Sequence, residues 1–193
     1  MADPSPELEE ILDTLKKSAA ALRDAGIPFM VGGGVAAWAR GGPESVKDLD
    51  LIVKPDDADA ALQTLERAGL RGERPPEGWL LKAYDGDVLV DVIYQPQGMD
   101  VDDLALQRAE VLNVKAMEIP VMPIDDVLTS KLLALNERWL DYDQLLQMGR
   151  ACREQVDWED VRRRTAESPF ARAFFEIVDG LGISGTEPVS NLS

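Results

Sequence analysis

The sequence feature that most constrains the fold is a turn signal, Asp85 followed by Gly86, between two apolar stretches. The stretches read WLLKAY before the signal and DVLVDVIY after it. An Asp-Gly pair favours a type I′ turn, which joins two neighbouring antiparallel strands. The chain is therefore expected to contain an antiparallel hairpin, which a purely parallel sheet does not have.

Strands mixed with helices are predicted first along the chain, and helices alone are predicted after them. The expected elements are a helix over 6–25, a strand over 27–31, a helix over 35–40, a strand over 48–53, a helix over 55–68, a loop over 71–78, the hairpin strands over 79–84 and 87–94, a short helix over 102–112, an extended segment over 111–122, and helices over 124–149, 158–165 and 169–181. This order indicates an α/β (α+β) fold, in which a mixed sheet with an antiparallel hairpin precedes a C-terminal helical bundle. The predicted boundaries are 1–123 for the core, 124–185 for the helical subdomain and 186–193 for a flexible tail.

Composition excludes several classes of site. One cysteine and no histidine among 193 residues exclude an internal disulfide, a structural zinc site and a histidine-based triad. Carboxylate sites for magnesium, manganese or calcium remain. A formal net charge of −16, from 36 acidic and 20 basic residues, disfavours broad affinity for nucleic acid. The sequence has no apolar stretch of the length that spans a membrane and no secretory signal, so we expect a cytoplasmic protein.

Two aspartates begin an otherwise apolar strand in the segment SVKDLDLIV, residues 45–53. Side chains alternate along a strand, so Asp48 and Asp50 share a face, with their Cα atoms about 6.6 Å apart. Both carboxylates can therefore reach one divalent cation or a pair of cations. Without a cation, each charge raises the pKa of the other carboxylate. In an acidic protein, this pattern by itself is more often a solvated strand edge.

A third carboxylate, Asp91, lies inside the apolar run VLVDVIY. An unpaired charge in such a run is costly. If this strand lies beside residues 48–53, the three aspartates converge on one point. The alternatives are a strand at the edge of the sheet, or an ion pair with a basic residue such as Lys131. We favour convergence.

Three glycines, Gly32, Gly33 and Gly34, end the first strand and open a helix. Backbone amides at such a turn bind phosphate. Together with Ala37, these glycines also fit the G-x-G-x-x-A pattern of dinucleotide-binding domains, so a small NAD-binding domain is an alternative. That fold needs an acidic residue near the far end of its second strand and more parallel units. Here the acidic residues begin the strand and a hairpin follows, so this alternative is the weaker one.

The helix predicted from Ile124 carries Lys131 within its apolar stripe. Either this lysine extends to solvent at the rim of the stripe, or it reaches the aspartates or a ligand phosphate. Arg138 and Asp141 lie three residues apart on the same predicted helix. A local ion pair is the first interpretation of these two residues, and a role in the site is the second.

Taken together, the glycines, the D-x-D pair and the later aspartate resemble the nucleotidyltransferases of the DNA polymerase β superfamily. The matching residues are Gly32, Gly33, Asp48, Asp50 and Asp91. The stretch 119–146 further resembles the bacterial AbiE-ii and MenT-like branch, in which a strand and a proline lead into a helix with a lysine, followed by an arginine and an aspartate. This sequence departs from that branch in having Val46 where Ser or Thr is usual and Gln144 where a second acid is common.

The resemblance implies transfer of an NMP group from an NTP to an acceptor hydroxyl, with Mg²⁺ (or Mn²⁺) as cofactor and pyrophosphate as the second product. The implied roles are metal binding for Asp48 and Asp50, metal binding or base catalysis for Asp91, neutralisation of charge at the α-phosphate for Lys131, and nucleotide binding for Gly32, Gly33, Gly34, Ser45, Lys47 and Asp141. The acceptor would be a transfer RNA, a protein or a small molecule, and an antitoxin protein would be a partner if the chain is a toxin. A catalytically inactive module of the same fold, which binds nucleotide or a partner, is the other alternative.

Overall fold

The computed structural model describes residues 4–44 and 47–185, and it confirms the α/β fold class. Within these residues the chain forms one seven-stranded sheet and eight α-helices. The strands are β1 (Phe29–Val31), β2 (Leu49–Val53), β3 (Arg71–Glu73), β4 (Leu80–Asp85), β5 (Val88–Ile93), β6 (Glu110–Val114) and β7 (Met117–Val121). The helices are α1 (Pro6–Asp24), α2 (Gly33–Ala39), α3 (Ala58–Arg67), α4 (Asp103–Gln107), α5 (Ile124–Ala134), α6 (Tyr142–Cys152), α7 (Trp158–Arg164) and α8 (Pro169–Gly180).

The sheet is mixed, with the strand order β3-β4-β5-β2-β1-β7-β6. Two pairs, β2 with β5 and β1 with β7, are parallel, and the other neighbouring strands are antiparallel. The first two strands of a dinucleotide-binding domain are parallel, whereas β1 and β2 here are antiparallel. The NAD-binding alternative is therefore wrong.

The predicted hairpin is confirmed as β4 and β5, but its turn lies one residue later than the sequence suggested. Asp85 pairs with Val88, so the two turn residues are Gly86 and Asp87. Gly86 adopts a positive φ of 60°, which is typical of the first turn position in a type II′ turn. This turn sets the register of the whole hairpin, including the pairing of Lys82 with Asp91.

A second hairpin joins β6 to β7 within the segment predicted only as extended. Its turn residues Lys115 and Ala116 have positive φ values of 48° and 61°, and the Asn113 side chain accepts a hydrogen bond from the Ala116 amide.

Two other predicted elements differ from the structure. The predicted loop over 71–78 contains strand β3, and the helix predicted over 102–112 ends at Gln107 and gives way to β6.

The single helix predicted over 124–149 is wrong, because the chain forms two helices there. Helix α5 ends at Ala134, and Leu135 is extended with φ −63° and ψ 139°. The backbone of Asn136 pairs with that of Trp139, and the Asn136 side chain accepts a hydrogen bond from the Arg138 amide. Side chains that bond to nearby backbone groups compete with the helix, which explains the break. Helix α6 begins after Asp141, whose carboxylate caps it by accepting from the Gln144 amide at 3.2 Å.

Apolar side chains of the sheet and of the C-terminal helices form one continuous buried cluster. The apolar side chains that recur at helical spacing along α1 are buried: Leu8, Ile11, Leu12, Leu15, Ala19 and Leu22. A change from sheet to helices does occur between β7 and α5, but the division into domains at residues 123 and 124 stays a prediction. The predicted tail, 186–193, lies outside the described residues.

A buried ion pair fastens the C-terminal helices to one another. The Asp126 carboxylate on α5 is bound by Arg164 of α7 at 2.7 Å and by Arg108, which follows α4, at 3.2 Å. Asp126 is almost inaccessible to solvent. Among the described residues, none of the helices has the length and apolar character needed to cross a bilayer.

Candidate active site

Three carboxylates converge at the centre of the sheet. Strands β2 and β5 pair in parallel with Asp50 directly beside Asp91, and Asp48 lies immediately before β2. One oxygen from each carboxylate lies within 4.8 Å of the other two. Three carboxylate oxygens form the ligand set that hard divalent cations such as Mg²⁺ or Mn²⁺ prefer. The residues therefore fit a cation of this kind.

Burial and mutual repulsion raise the pKa values of two of the three carboxyl groups. Burial and the neighbouring charge of Asp48 raise the pKa of Asp50 from 3.8 to about 7, although Lys131 acts in the opposite direction. Burial also raises the pKa of Asp91, against the opposing hydrogen bond from Lys82. Raised pKa values at neighbouring carboxylates in a cleft are characteristic of functional sites. A bound cation would relieve the repulsion.

Lys82 is a residue of this site that the sequence analysis did not identify. Its Nζ atom donates a hydrogen bond to Oδ1 of Asp91 at 2.9 Å. Burial lowers the pKa of Lys82, but the hydrogen bond and the charge of Asp91 outweigh burial and raise it. Asp91 is therefore not on an edge strand, but the ion pair considered as the other alternative does form, with Lys82 instead of Lys131, and the three aspartates converge as well.

The glycines approach the aspartates closely. Gly33 adopts a φ of +55°, and a Cβ atom there would overlap Oδ2 of Asp50 and lie 2.7 Å from its Cγ atom. Only glycine meets both requirements. The amide of Gly32 is already used, because it donates to the Asp50 carbonyl at 2.9 Å. The amides of Gly33 and Gly34 belong to the first turn of α2 and have no acceptor within the helix.

The aspartates open into a cleft of about 790 Å³ between the sheet and the C-terminal helices. Of the residues predicted for the site, the cleft is lined by Gly33, Lys47, Asp48, Asp50, Asp91, Lys131 and Asp141. Gly34 is buried behind the cleft wall. Ser45 lies outside the described residues.

Lys131 faces this cleft from α5 rather than extending away from it. Its Nζ atom donates to Oε1 of Gln144 at 3.4 Å, and its charge acts on Asp50. The predicted helical spacing of Arg138 and Asp141 is wrong, because both residues lie in the connection between α5 and α6. Asp141 caps α6 and lines the cleft.

Two exposed tryptophans on the cleft wall were also missed from the sequence. Trp79 is 41% exposed and precedes β4, and Trp139 is 64% exposed in the connection between α5 and α6. Both line the same cleft as the aspartates. Exposed apolar surface along a groove is one of the features that mark ligand-binding sites. Neither tryptophan belongs to a motif or a periodic pattern that would have identified it.

Solved structures with a similar fold are nucleotidyltransferases. The crystal structure of ANT(2″)-Ia in complex with adenylyl-2″-tobramycin has a TM-score of 0.60 and 17% identity, covering 84% of this chain and 95% of that one. The solution structure of the antibiotic-resistance factor ANT(2″)-Ia has a TM-score of 0.61 and 18% identity, covering 89% and 97%. The lincomycin-bound lincosamide adenylyltransferase LnuA has a TM-score of 0.47 and 15% identity, covering 75% and 94%.

The TM-scores of the two ANT(2″)-Ia structures establish similarity of fold. The comparison with curated protein sequences gave no match. A family profile described as "Nucleotidyl transferase of unknown function (DUF2204)" matches residues 11–170. That range includes the whole sheet, the three aspartates and the helices that form the cleft. The chain therefore belongs to this family of nucleotidyl transferases.

Proposed function

We propose that the protein is a metal-dependent nucleotidyltransferase that transfers an NMP group from an NTP to an acceptor hydroxyl. One observation carries the proposal: the carboxylates of Asp48, Asp50 and Asp91 converge beside Gly33 in the main cleft. This arrangement occurs in a chain that belongs to a nucleotidyl transferase family. Pairs of carboxylates that bind divalent cations are the usual means of stabilising phosphoryl transfer.

Asp48, Asp50 and Asp91 would hold Mg²⁺ (or Mn²⁺). When bound, such an ion neutralises phosphate charge and assists departure of the pyrophosphate. Asp91 is the least solvent-exposed of the three and accepts a hydrogen bond from Lys82. It would therefore contribute as a metal ligand or as the base that accepts the proton of the acceptor hydroxyl.

The remaining side chains of the cleft would bind and orient the triphosphate. The amide of Gly33, together with Lys47 and the hydroxyl of Ser45, would bind the β- and γ-phosphates, and Asp141 would contact the nucleotide from the opposite wall. Lys131 would neutralise the charge that develops at the α-phosphate. In the reaction, the acceptor oxygen bonds to the α-phosphorus, the bond to pyrophosphate breaks, and the hydroxyl proton leaves with the base.

The proposal leaves three classes of acceptor: transfer RNA, protein and small molecules. The AbiE-ii and MenT-like pattern in 119–146 supports a bacterial branch that includes toxins with antitoxin partners and that modifies transfer RNA or protein in the cytoplasm. The net charge of −16 opposes a large RNA-binding face, since each phosphate contact needs a cation. One similar structure contains an adenylylated antibiotic, which adds small hydroxyl-bearing molecules as acceptors.

The proposal is tested by following label from each α-³²P-NTP in the presence of Mg²⁺ and three acceptor pools. The pools are total transfer RNA, cell protein, and the small molecules of a cell extract. We expect label in one pool together with release of pyrophosphate. Replacing Asp48→Ala and Asp50→Ala together removes two ligands of the cluster, and we expect it to reduce transfer at least 1,000-fold, within the range known for electrostatic contributions to catalysis.

The matched control is Asp56→Ala combined with Asp59→Ala, which removes two exposed carboxylates from the start of α3. This control should retain wild-type transfer. Absence of transfer into any pool, while nucleotide still binds, would replace the proposal with an inactive nucleotide-binding module. Retained transfer in the Asp48 and Asp50 double variant would contradict the assigned site.

A further inference from the structure

The hydrogen bond between Lys82 and Asp91 crosses two central strands of the sheet. The residues lie directly opposite each other on antiparallel β4 and β5, so their side chains project from the same face. Asp91 in turn lies beside Asp50 on parallel β2. Three neighbouring strands therefore present a row of ionisable groups, Lys82, Asp91 and Asp50, on one face of the sheet, and Asp91 and Asp50 line the cleft.

We propose that Lys82 is a positioning residue that fixes the Asp91 carboxylate and limits the aspartate cluster to one divalent cation until nucleotide binds. This inference rests on the proposed function and deepens it, because it assigns the number of cations and the order in which they bind. The ammonium group of Lys82 takes the place that a second cation would otherwise occupy beside Asp91. A further cation would then enter together with the triphosphate, which supplies its own negative charge.

The charges of the row support this stoichiometry. Carboxylates bind a cation in their ionised form, in which the three together carry three negative charges, and Lys82 in direct contact neutralises one of them. One divalent cation balances the remainder. Lys47 and Lys131 also line the cleft, but the hydrogen bond of Lys131 goes to Gln144 rather than to a carboxylate. Lys131 is therefore placed to meet an incoming phosphate.

The burial of the pair shows why the contact is strong. The side chain of Lys82 is 24% exposed and that of Asp91 is 12% exposed. Exposed pairs such as Lys17 with Asp85, which are 38% and 27% exposed, contribute little to stability because water and salt screen them. The Lys82 contact lies deeper, so its charge acts on a cation in the cluster with less screening.

The inference is tested by counting Mn²⁺ ions with titration calorimetry and electron paramagnetic resonance, without nucleotide. Ions belonging to the cluster are those lost in the Asp48→Ala, Asp50→Ala double variant. We expect one such ion in the wild type. In Lys82→Met and Lys82→Gln, which lack the positive charge, we expect a second ion or about tenfold tighter binding of the first. Lys82→Arg keeps the charge and should behave as the wild type.

Lys17→Met is the matched control, because it removes a lysine that pairs with Asp85 at the end of the same strand β4. It should leave Mn²⁺ binding unchanged. Two cluster ions in the wild type would overturn the inference. A neutral variant of Lys82 that folds and binds one ion with unchanged or weaker affinity would also overturn the inference, because this is the result expected if Lys82 has a purely structural role.

The two proposals fail separately. If transfer is observed but the Lys82 variants leave ion count and affinity unchanged, the inference about Lys82 is wrong and the proposed function stands. If the Mn²⁺ results are as expected but no pool accepts label, the proposed function is wrong and the role of Lys82 in cation binding stands.

Discussion

The negative charge of Asp50, which the proposed cation site needs, lowers the stability of the folded protein. Its pKa of about 7 in the folded protein lies above the ordinary 3.8, so the native state retains a proton that the unfolded chain releases. The contribution of Asp50 to the free energy of unfolding therefore falls as pH rises from about 4 to about 7. Above pH 7 the penalty is fully present, and below pH 4 it is absent.

We predict that Asp50→Asn stabilises the protein at pH 8 by about 1–3 kcal/mol in the absence of divalent cations. The amide keeps the shape of the side chain but has no charge to repel Asp48 and Asp91. Chemical denaturation at pH 8 and at pH 4.5 measures the effect, and the gain should nearly disappear at the lower pH.

Asp59→Asn, at an exposed position on α3, is the control and should change stability little at either pH. Magnesium ions should stabilise the wild type and leave Asp50→Asn almost unaffected. A variant less stable than the wild type at pH 8 would show that the Asp50 charge is already compensated in the folded protein.

Sequence reasoning at the residue scale identified the carboxylates but missed Lys82, and the reason is the register of one hairpin. Alternation in 48–53 and the apolar run around Asp91 were enough to suggest convergence. A turn centred on Asp85 and Gly86 would have placed Leu80 opposite Asp91. The observed turn at Gly86 and Asp87 places Lys82 there instead. A shift of one residue in a turn thus changes the partner of a buried charge.

At the scale of elements, the predicted helix and strand boundaries failed where particular side chains determine the local backbone conformation. The β6–β7 turn uses Lys115 and Ala116 at positive φ, where glycine or asparagine is usual, so it gave no turn signal. The break between α5 and α6 depends on Asn136 bonding to the backbone, whereas the apolar spacing continued as if one helix were present. The long helix α1 was predicted well because its apolar periodicity and tertiary packing agree, whereas the helix predicted from residue 55 begins with a 3-10 turn and α3 itself starts at Ala58.

The ion pair of Asp126 leads to a prediction about the C-terminal helices. Asp126→Ala leaves Arg164 without its 2.7 Å partner on α5, and should lower the free energy of unfolding by about 2–3 kcal/mol. Denaturant titration measures this loss. Asp143→Ala on α6, an exposed position, is the control and should change stability by less than about 0.5 kcal/mol. Equal stability of the two variants would mean that water replaces the buried contact.

For the whole molecule, a net charge of −16 predicts weak binding of transfer RNA. We expect a dissociation constant weaker than about 10 µM at 0.15 M salt, measured by fluorescence anisotropy with a known transfer RNA-binding protein as positive control. Binding below 1 µM would instead require a concentrated basic face, and it would favour transfer RNA as the acceptor.

The parallel pairing of β2 with β5 also determines the stage of folding at which the cation-binding centre can form. Asp50 and Asp91 are neighbours only across this pairing, and the intervening chain must complete a long crossover before the two strands meet. Contacts between distant parts of a chain form late and slowly. A chain that ends before β5 lacks Asp91 and therefore the complete cation-binding centre, so a nascent chain remains inert until synthesis has passed β5.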